Sequence, residues 1–130
     1  MSNGQTDRGL LDTLLTVLPE FGVQPFEARK ESTGFIFNRI WAAIKRESLA
    51  VVAEGVARPQ DIDGMFQLAL GVTVGPFRMM DLVDLDVVLD IENHYAAESP
   101  QLPGHVRDLL QSYVDAGKLG IKTGEGSYTY

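Results

Sequence analysis

The chain has 130 residues, 45% of them hydrophobic and 22% charged, and this composition predicts one globular domain with at most a short appendage, since disordered chains are poorer in apolar residues. Its net charge of −7 argues against electrostatic binding to nucleic acid or to an anionic membrane. The absence of cysteine excludes disulfides, thiolate zinc sites and a cysteine nucleophile.

Residues 7–21 predict an amphipathic helix, and the segment after it contains the single strand candidate. Leucines recur along the helix at spacings of one, three and four residues: Leu10, Leu11, Leu14, Leu15 and Leu18. Thr6 or Asp7 can cap the first turn by accepting from its free amides. Residues 23–29 alternate loosely, and Pro25 restricts this strand to a sheet edge because proline cannot donate to a ladder.

A long segment from residue 35 to residue 57 predicts a helix that is apolar around most of its circumference. Its apolar positions are Phe35, Ile36, Phe37, Ile40, Trp41, Ala42, Ala43, Ile44, Leu49, Ala50, Val51, Val52 and Val56. A helix with this pattern is buried on nearly every side, and a chain of 130 residues has few other elements to cover it. We therefore expect a homodimer in which a second copy covers the 35–57 helix.

Three further helices are predicted between residues 59 and 117, each opened by a proline where the missing N–H costs nothing. Their inward positions are Ile62, Met65, Phe66 and Ala69 in the first, Phe77, Met80, Val83, Val87, Val88, Ile91 and Tyr95 in the second, and Val106, Leu109, Leu110, Tyr113 and Val114 in the third. The second helix also carries acidic residues that we expect mostly to face solvent rather than a metal ion: Asp81, Asp84, Asp86, Asp90 and Glu92. The predicted fold class is all-α from about residue 32, preceded by one helix and one short strand.

Six short motifs occur in a fixed order between residues 31 and 128. They are Glu-Ser-Thr-Gly-Phe-Ile-Phe-Asn-Arg at 31–39, Glu-Gly-Val-Ala at 54–57, Asp-Ile-Asp at 61–63, Gly-Pro-Phe at 75–77, Asp81 with Leu-Asp at 85–86, and Gly-Lys-Leu-Gly at 117–120 with Lys-Thr-Gly at 122–124 and Tyr128. Together they resemble the C-terminal domain of the L-3-hydroxyacyl-CoA dehydrogenases, which 3-hydroxybutyryl-CoA dehydrogenases and lambda-crystallin-like enzymes share. Residues 7–30 resemble the last helix and strand of the nucleotide-binding sheet of such enzymes.

The resemblance implies a multi-helix domain with the 6-phosphogluconate dehydrogenase C-terminal-like fold for residues 32–130, and the end of a Rossmann-type domain for residues 1–31. In such enzymes the helical domain supplies the dimer interface, part of the acyl-CoA cleft and an asparagine that reaches toward the substrate and the catalytic histidine. By resemblance Asn38 is that asparagine; otherwise it is a polar residue that caps a helix or contacts water. Lys122 is a weaker candidate for contact with an anionic part of the substrate. For Arg39 we expect an ion pair with a nearby carboxylate, such as Glu31, rather than a phosphate.

The NAD-binding part of such an enzyme is not evident in the sequence. No Gly-x-Gly-x-x-Gly pattern follows a strand, and neither His94 nor His105 matches the family's catalytic histidine. This chain alone is therefore predicted to bind no cofactor and to be inactive, with NAD used only by the complete enzyme. Asp84 stands where the family usually has glycine, and Ser127 replaces the usual phenylalanine.

Two functions are compatible with these observations. The first is the C-terminal substrate-cleft and dimerisation domain of an NAD-dependent enzyme that oxidises L-3-hydroxyacyl-CoA to 3-oxoacyl-CoA, completed by a nucleotide-binding domain in the same or a separate chain. The alternative is a stand-alone, non-catalytic helical module that dimerises or binds acyl-CoA. A cytoplasmic protein is expected, because the chain opens without a signal-peptide core and no segment approaches the ~18 apolar residues of a membrane span.

Overall fold

The computed structural model describes residues 5–130, and the chain divides into two compact units, Met1–Ile40 and Trp41–Tyr130. The described residues form six α-helices: α1 (Arg8–Val17), α2 (Phe37–Ala53), α3 (Pro59–Leu70), α4 (Pro76–Val83), α5 (Leu85–Glu98) and α6 (His105–Asp115). Two short 3-10 helices, Leu18–Phe21 and Ile121–Thr123, complete the regular structure. The predicted all-α class is confirmed. None of these helices is long and apolar enough to cross a membrane.

The N-terminal unit contains α1 and an irregular segment, and none of its described residues is buried. Asp7 caps α1, since its Oδ1 accepts from the amide of Leu10 at 3.1 Å. The 3-10 helix that follows is closed by Gly22, which has a φ of 75°. The strand predicted at residues 23–29 is absent. A strand forms only where a neighbouring strand completes its ladder, and no described residue pairs with this segment in that way.

Helix α2 spans the boundary between the two units and is shorter than the predicted segment 35–57. Its buried residues lie along one side and include two polar ones: Ala42, Lys45, Ser48, Leu49 and Ala50. By contrast Ile40, which the apolar pattern places inside, is 58% exposed. The described residues therefore cover one side of α2 and leave apolar side chains exposed on another.

The helical unit has its own apolar core, to which α2 to α6 all contribute. Its members are Leu49, Ala50, Ile62, Phe77, Met80, Leu85, Val88, Leu89, Val106 and Leu110. The predicted inward positions of α4, α5 and α6 include five of these residues. The same prediction is wrong for Met65, Val83 and Val87, which are 62%, 48% and 41% exposed.

A break at Asp84 explains two of these errors. The sequence pattern predicts one helix from residue 76 onward, but α4 ends at Val83 and α5 begins at Leu85. Between them Asp84 has a φ of 79° and a ψ of 133°, a conformation that residues other than glycine rarely adopt. Because the break interrupts the helical repeat, the 3.6-residue pattern does not continue from α4 into α5, and Val83 and Val87 lie on the outside.

Candidate functional site

The turn that precedes Asn38 contains two consecutive residues with positive φ. The amide of Phe35 donates to the carbonyl of Ser32 at 2.9 Å, which closes a four-residue turn. Gly34 has a φ of 74° at the third position, as a type II turn requires, and Phe35 has a φ of 52°. A left-handed phenylalanine costs about 1–2 kcal/mol, so neighbouring contacts must hold it in place.

Asn38 is the second residue of α2, and it is exposed. Its neighbours in the sequence leave large apolar side chains exposed as well, namely Phe35 (43%), Ile36 (48%), Phe37 (64%) and Ile40 (58%). A carboxamide offers donors on its nitrogen and an acceptor on its oxygen. This setting suits a ligand that carries a carbonyl or hydroxyl group on an apolar chain.

Arg39 folds back onto the same turn. Its Nη1 donates to the Oγ of Ser32 at 2.9 Å, and its amide donates to the carbonyl of Gly34 at 3.1 Å. The predicted ion pair with Glu31 is not formed. The guanidinium instead contacts Ser32, the first residue of the turn. The turn is therefore fastened to the first residues of α2 through Arg39.

Lys122 lies in the helical unit, in the 3-10 helix Ile121–Thr123. Its Nζ lies 2.8 Å from both carboxylate oxygens of Asp86 and 3.3 Å from the Oδ2 of Asp84. The hydrogen bonds to Asp86 raise the pKa of Lys122 and keep it charged. Two carboxylates already offset that charge, and contact of Lys122 with an anionic substrate stays a prediction.

Asp81 in α4 is fully buried and accepts four hydrogen bonds from the C-terminal tail. Its Oδ1 accepts from the amide and the hydroxyl of Ser127, both at 3.0 Å. Its Oδ2 accepts from the amide of Tyr128 at 3.1 Å and from the hydroxyl of Tyr130 at 2.9 Å. The prediction that Asp81 belongs to a solvated acidic face is wrong, because the tail folds over it and supplies donors in place of water.

Asp63 in α3 has a similar role at the start of α4. Its Oδ1 accepts from the amide of Phe77 at 2.8 Å, and its Oδ2 accepts from the amide of Arg78 at 3.0 Å. Free amides at a helix N-terminus are thereby satisfied by a negative charge, which the helix dipole favours there. The same Oδ2 accepts from the hydroxyl of Tyr128 at 2.9 Å, and Arg78 stacks on that ring at 4.0 Å from its centroid.

Three glycines, two of which belong to the motifs, pack directly against these two aspartates. A Cβ on Gly75 would lie 2.5 Å from the Cα of Asp63. A Cβ on Gly120 would lie 2.3 Å from the carbonyl oxygen of Asp81, and one on Gly126 would lie 2.5 Å from its Oδ1. Motifs that are far apart in the sequence thus lie together in the structure, where they hold the tail against α3 and α4.

We call Asp63, Asp81 and residues 126–130 the tail clamp. Burial, together with the hydrogen bond to Asp63, raises the pKa of Tyr128 to about 12. The pKa of Tyr130 is raised as well, by burial and by its hydrogen bond to Asp81. Both hydroxyls therefore remain protonated donors at physiological pH. The sequence signal for this cluster is that the motifs occur together. No single motif distinguishes a buried aspartate from an exposed one.

A second buried polar cluster joins α2 to α5. Glu92 is 2% exposed and Lys45 is 3% exposed, so the prediction that Glu92 faces solvent is wrong. The Nε of Arg46 donates to Glu92 Oε2 at 3.0 Å, and the Nζ of Lys45 lies 3.9 Å from Glu92 Oε1. Two cations beside one carboxylate explain why Glu92 is tolerated inside. Burial lowers the pKa of Lys45.

Helices α2 and α3 border an open apolar groove of about 390 Å³. It is lined by Ala43, Ile44, Glu47, Ser48, Val51, Ile62 and Phe66. The same helix α3 exposes Met65, Leu68 and Leu70 to 62%, 82% and 65%. Exposed apolar side chains beside an apolar groove are typical of a binding surface in a globular protein.

Neither histidine of the chain has the surroundings of a general base. His94 and His105 are exposed and lie 3.4 Å from the carboxylates of Glu98 and Glu54, which are exposed too. A catalytic histidine is usually oriented by a buried carboxylate. Within residues 5–130, no group of three or more histidine or acidic side chains is placed to hold a metal ion.

Residues 34–130 match the family described as the 3-hydroxyacyl-CoA dehydrogenase, C-terminal domain. Over 130 residues the chain is 42% identical to a 3-hydroxyacyl-CoA dehydrogenase-like protein of Cochliobolus heterostrophus, an alignment that covers 98% of this chain and 27% of that protein. It is 33% identical to the 3-hydroxybutyryl-CoA dehydrogenase of Clostridioides difficile, with 100% of this chain and 46% of that protein covered.

Solved structures of similar proteins have the same helical fold. The (S)-3-hydroxybutyryl-CoA dehydrogenase of Ralstonia eutropha aligns with a TM-score of 0.84 and 31% identity over 98% of this chain and 44% of that one. FadB2 of M. tuberculosis aligns with a TM-score of 0.80 and 30% identity, covering 96% of this chain and 44% of that one. This chain therefore spans less than half the length of these relatives.

Proposed function

The chain belongs to the 3-hydroxyacyl-CoA dehydrogenase C-terminal domain family, and from this membership we propose that it supplies the substrate cleft and the dimer interface of an NAD-dependent 3-hydroxyacyl-CoA dehydrogenase. The complete enzyme would oxidise L-3-hydroxyacyl-CoA to 3-oxoacyl-CoA, with NAD as the oxidant. A nucleotide-binding domain, in the same or a separate chain, would hold the NAD.

The described residues do not fit NAD. Dinucleotides bind where a strand turns through glycines into a helix whose N-terminus meets the pyrophosphate. Residues 5–130 contain no strand that leads into a helix in this way. We therefore expect no oxidation by this chain without a nucleotide-binding domain.

The exposure of Asn38 at the start of α2 is the observation that supports the proposed function most directly. Its carboxamide nitrogen can donate to the oxygen of a thioester or of the 3-position, while its oxygen accepts from an imidazole N–H of the completing domain. A carboxamide is neither an acid nor a base near neutral pH, so Asn38 would orient the substrate and stabilise charge that develops on oxygen. The exposed apolar side chains beside it would lie along the acyl chain.

Lys122 is the weaker candidate within the proposed function. An ammonium group can contact a phosphate or carboxylate of the substrate as a point charge. Asp84 and Asp86 would compete for the same ammonium, because they already lie within 3.3 Å and 2.8 Å of it. We expect replacement of Lys122 to affect substrate binding less than replacement of Asn38.

The homodimer through the 35–57 helix is part of the same proposal. Helices α2 and α3 form the groove, and α3 also carries exposed apolar residues. A two-fold dimer needs a surface that fits a second copy of itself, and a groove beside exposed apolar side chains supports such a contact. The covered area would include the side of α2 that lines this groove.

The N-terminal unit would contact the nucleotide-binding domain. Helix α1 and residues 23–29 enclose a groove of about 380 Å³, which leucines line together with the charged Arg8, Glu27 and Arg29. None of the residues in this unit that the structure describes is buried. An irregular segment with free backbone groups is a template for pairing with a strand of another domain. In the complete enzyme, the edge of a sheet would cover this surface in place of water.

Calorimetric titration of the full chain with acetoacetyl-CoA tests the proposed function. The substitution Asn38→Ala is expected to weaken binding about tenfold, since it removes the hydrogen bonds to the ligand oxygen. Asn93→Ala is the matched control, because Asn93 is an exposed asparagine of α5, and it is expected to leave the affinity unchanged. No binding, or equal binding by the wild type and Asn38→Ala, would contradict the proposal.

The stand-alone module remains the second candidate, and one observation favours it: the apolar core cluster lies entirely within residues 41–130. The two candidates differ once a relative's nucleotide-binding domain, NAD and 3-hydroxybutyryl-CoA are added to the chain. Formation of NADH would support the dehydrogenase. Acyl-CoA binding and dimerisation with no NADH formed would support the module.

A further inference from the structure

Ser32, the first residue of the turn before α2, is held by two different partners. Its carbonyl accepts from the amide of Phe35 at 2.9 Å, and its hydroxyl accepts from the guanidinium of Arg39 at 2.9 Å. Arg39 also holds the third residue of the turn, because its amide donates to the carbonyl of Gly34 at 3.1 Å. One residue of the helix thus contacts two residues of the turn, through its guanidinium and through its backbone amide.

The strain makes this fastening consequential. Phe35 has a φ of 52°, which an aromatic residue leaves readily unless neighbouring contacts prevent it. If the turn opened, the start of α2 would lose its fixed geometry, and Asn38 is the second residue of that helix. Residues in sparsely populated conformations are commonly found where a functional group must be aimed.

We infer that Arg39 is a positioning residue for Asn38: its guanidinium, acting through the hydroxyl of Ser32, holds the strained turn that aims the Asn38 carboxamide. This inference rests on the proposed function, in which Asn38 contacts an acyl-CoA. Arg39 itself touches neither substrate nor cofactor in this account. A guanidinium suits the task because it presents several donors in one rigid plane.

The substitutions Arg39→Ala and Ser32→Ala test the inference on the full chain by NMR. Both are expected to raise the hydrogen-exchange rate of the Phe35 amide about fivefold. The reason is that each removes the hydrogen bond between Arg39 and Ser32, and Ser32 is the acceptor of the Phe35 amide. Both should also shift the side-chain amide resonances of Asn38 and weaken acetoacetyl-CoA binding. The double substitution should add little, because each single change breaks the same contact.

Two comparisons separate positioning from general stability. Arg39→Lys keeps a donor within reach of Ser32 and is expected to restore part of the Phe35 protection and of the affinity. Arg58→Ala removes an exposed arginine that pairs with Asp61 in the helical unit, and it should leave the Asn38 resonances in place. The cooperative unfolding of the helical unit should be the same in Arg39→Ala and in the wild type.

The outcomes are distinct. Unchanged Phe35 exchange and unchanged Asn38 resonances in Arg39→Ala would overturn the inference. Loss of affinity in Arg39→Ala with full affinity in Ser32→Ala would overturn it too, since Arg39 would then contact the ligand directly. If the wild type bound no acetoacetyl-CoA, the proposed function would fail, while the exchange rates and resonances would still decide whether Arg39 holds the turn.

Discussion

The turn at Asn38 and the tail clamp both carry family motifs, yet they use their polar groups in opposite ways. The Asp81 carboxylate is fully buried and accepts four hydrogen bonds from its own chain, so it has no capacity left for a ligand. Asn38 is exposed beside a left-handed Phe35, in a unit with no buried residue among those described. Resemblance of a motif to a family therefore does not separate residues that maintain the fold from residues that meet a substrate; burial and hydrogen-bond partners do.

The largest expected effect comes from removing the carboxylate of Asp81. Asp81→Ala leaves the donors of the tail without an acceptor, and we expect the free energy of unfolding to fall by about 3 kcal/mol or more. Urea unfolding followed by circular dichroism measures it. Asp90→Ala, an exposed aspartate from the same acidic stretch, is expected to change stability by less than about 0.5 kcal/mol. Similar small effects in both would mean that the clamp does not hold the fold together.

Two glycine substitutions are expected to have opposite signs. Gly120→Ala places a Cβ 2.3 Å from the carbonyl oxygen of Asp81 at a φ of 113°, and it should lower the free energy of unfolding by about 2 kcal/mol or more. Gly64→Ala lies in α3 with nothing within 4 Å of the new Cβ, and it should raise stability by about 0.5–1 kcal/mol. Equal melting temperatures for the two variants would contradict the close packing of the tail against α4.

Lys45 provides a prediction about pH. Burial holds its folded-state pKa below the ordinary value of 10.5, so the unfolded chain binds more protons between the two values. The cost of burying this ammonium is therefore fully present below the folded pKa, and it disappears as the pH rises toward 10.5. We expect Lys45→Met to raise the free energy of unfolding by about 1 kcal/mol at pH 7, because Arg46 still pairs with Glu92.

The advantage of Lys45→Met over the wild type should shrink as the pH rises toward 10.5, the ordinary lysine pKa. Urea unfolding at a series of pH values from neutral to alkaline measures this trend. Lys118→Met is the control, since Lys118 is partly exposed and its pKa is raised by Glu125 rather than lowered. A Lys45→Met variant that is less stable than the wild type at every pH would show that Lys45 contributes to the pairing of Glu92.

A further prediction concerns the strained break between α4 and α5. Asp84→Gly relieves a positive φ and should raise the free energy of unfolding by about 1 kcal/mol, reduced slightly by the loss of the 3.3 Å contact with Lys122. Asp84→Asn removes the charge but keeps the backbone strain, so it should stay near the wild type. Thermal unfolding compares them. A destabilised Asp84→Gly would mean that the contact with Lys122 outweighs the strain.

The spacing of apolar residues and the prolines at helix starts were sufficient to predict the fold class and the order of the helices, because both are local signals. The break at Asp84 was not predictable in that way, since nothing local distinguishes an aspartate inside a helix from one that ends it. The predicted strand at 23–29 failed for the opposite reason: a strand depends on a neighbour that the described residues do not include.

The burial of Asp81 also lay beyond local reasoning. Acidic residues are rarely buried unless they are paired, so an outward position was the reasonable expectation for each aspartate of the second predicted helix. The donors that reverse this expectation include the amide and hydroxyl of Ser127, which is 46 residues away in the sequence. The hydroxyl of Ser127 adds a hydrogen bond to the clamp, an effect that only the tertiary contact reveals.

The measurement that tests the central claim most directly is a map of backbone and side-chain amide shifts during titration of the labelled chain with acetoacetyl-CoA. The account predicts that the largest shifts fall on residues 34–40, including the side-chain amide of Asn38, while the tail clamp stays unchanged. Shifts concentrated on the tail clamp or on the groove between α2 and α3, with residues 34–40 unaffected, would contradict it.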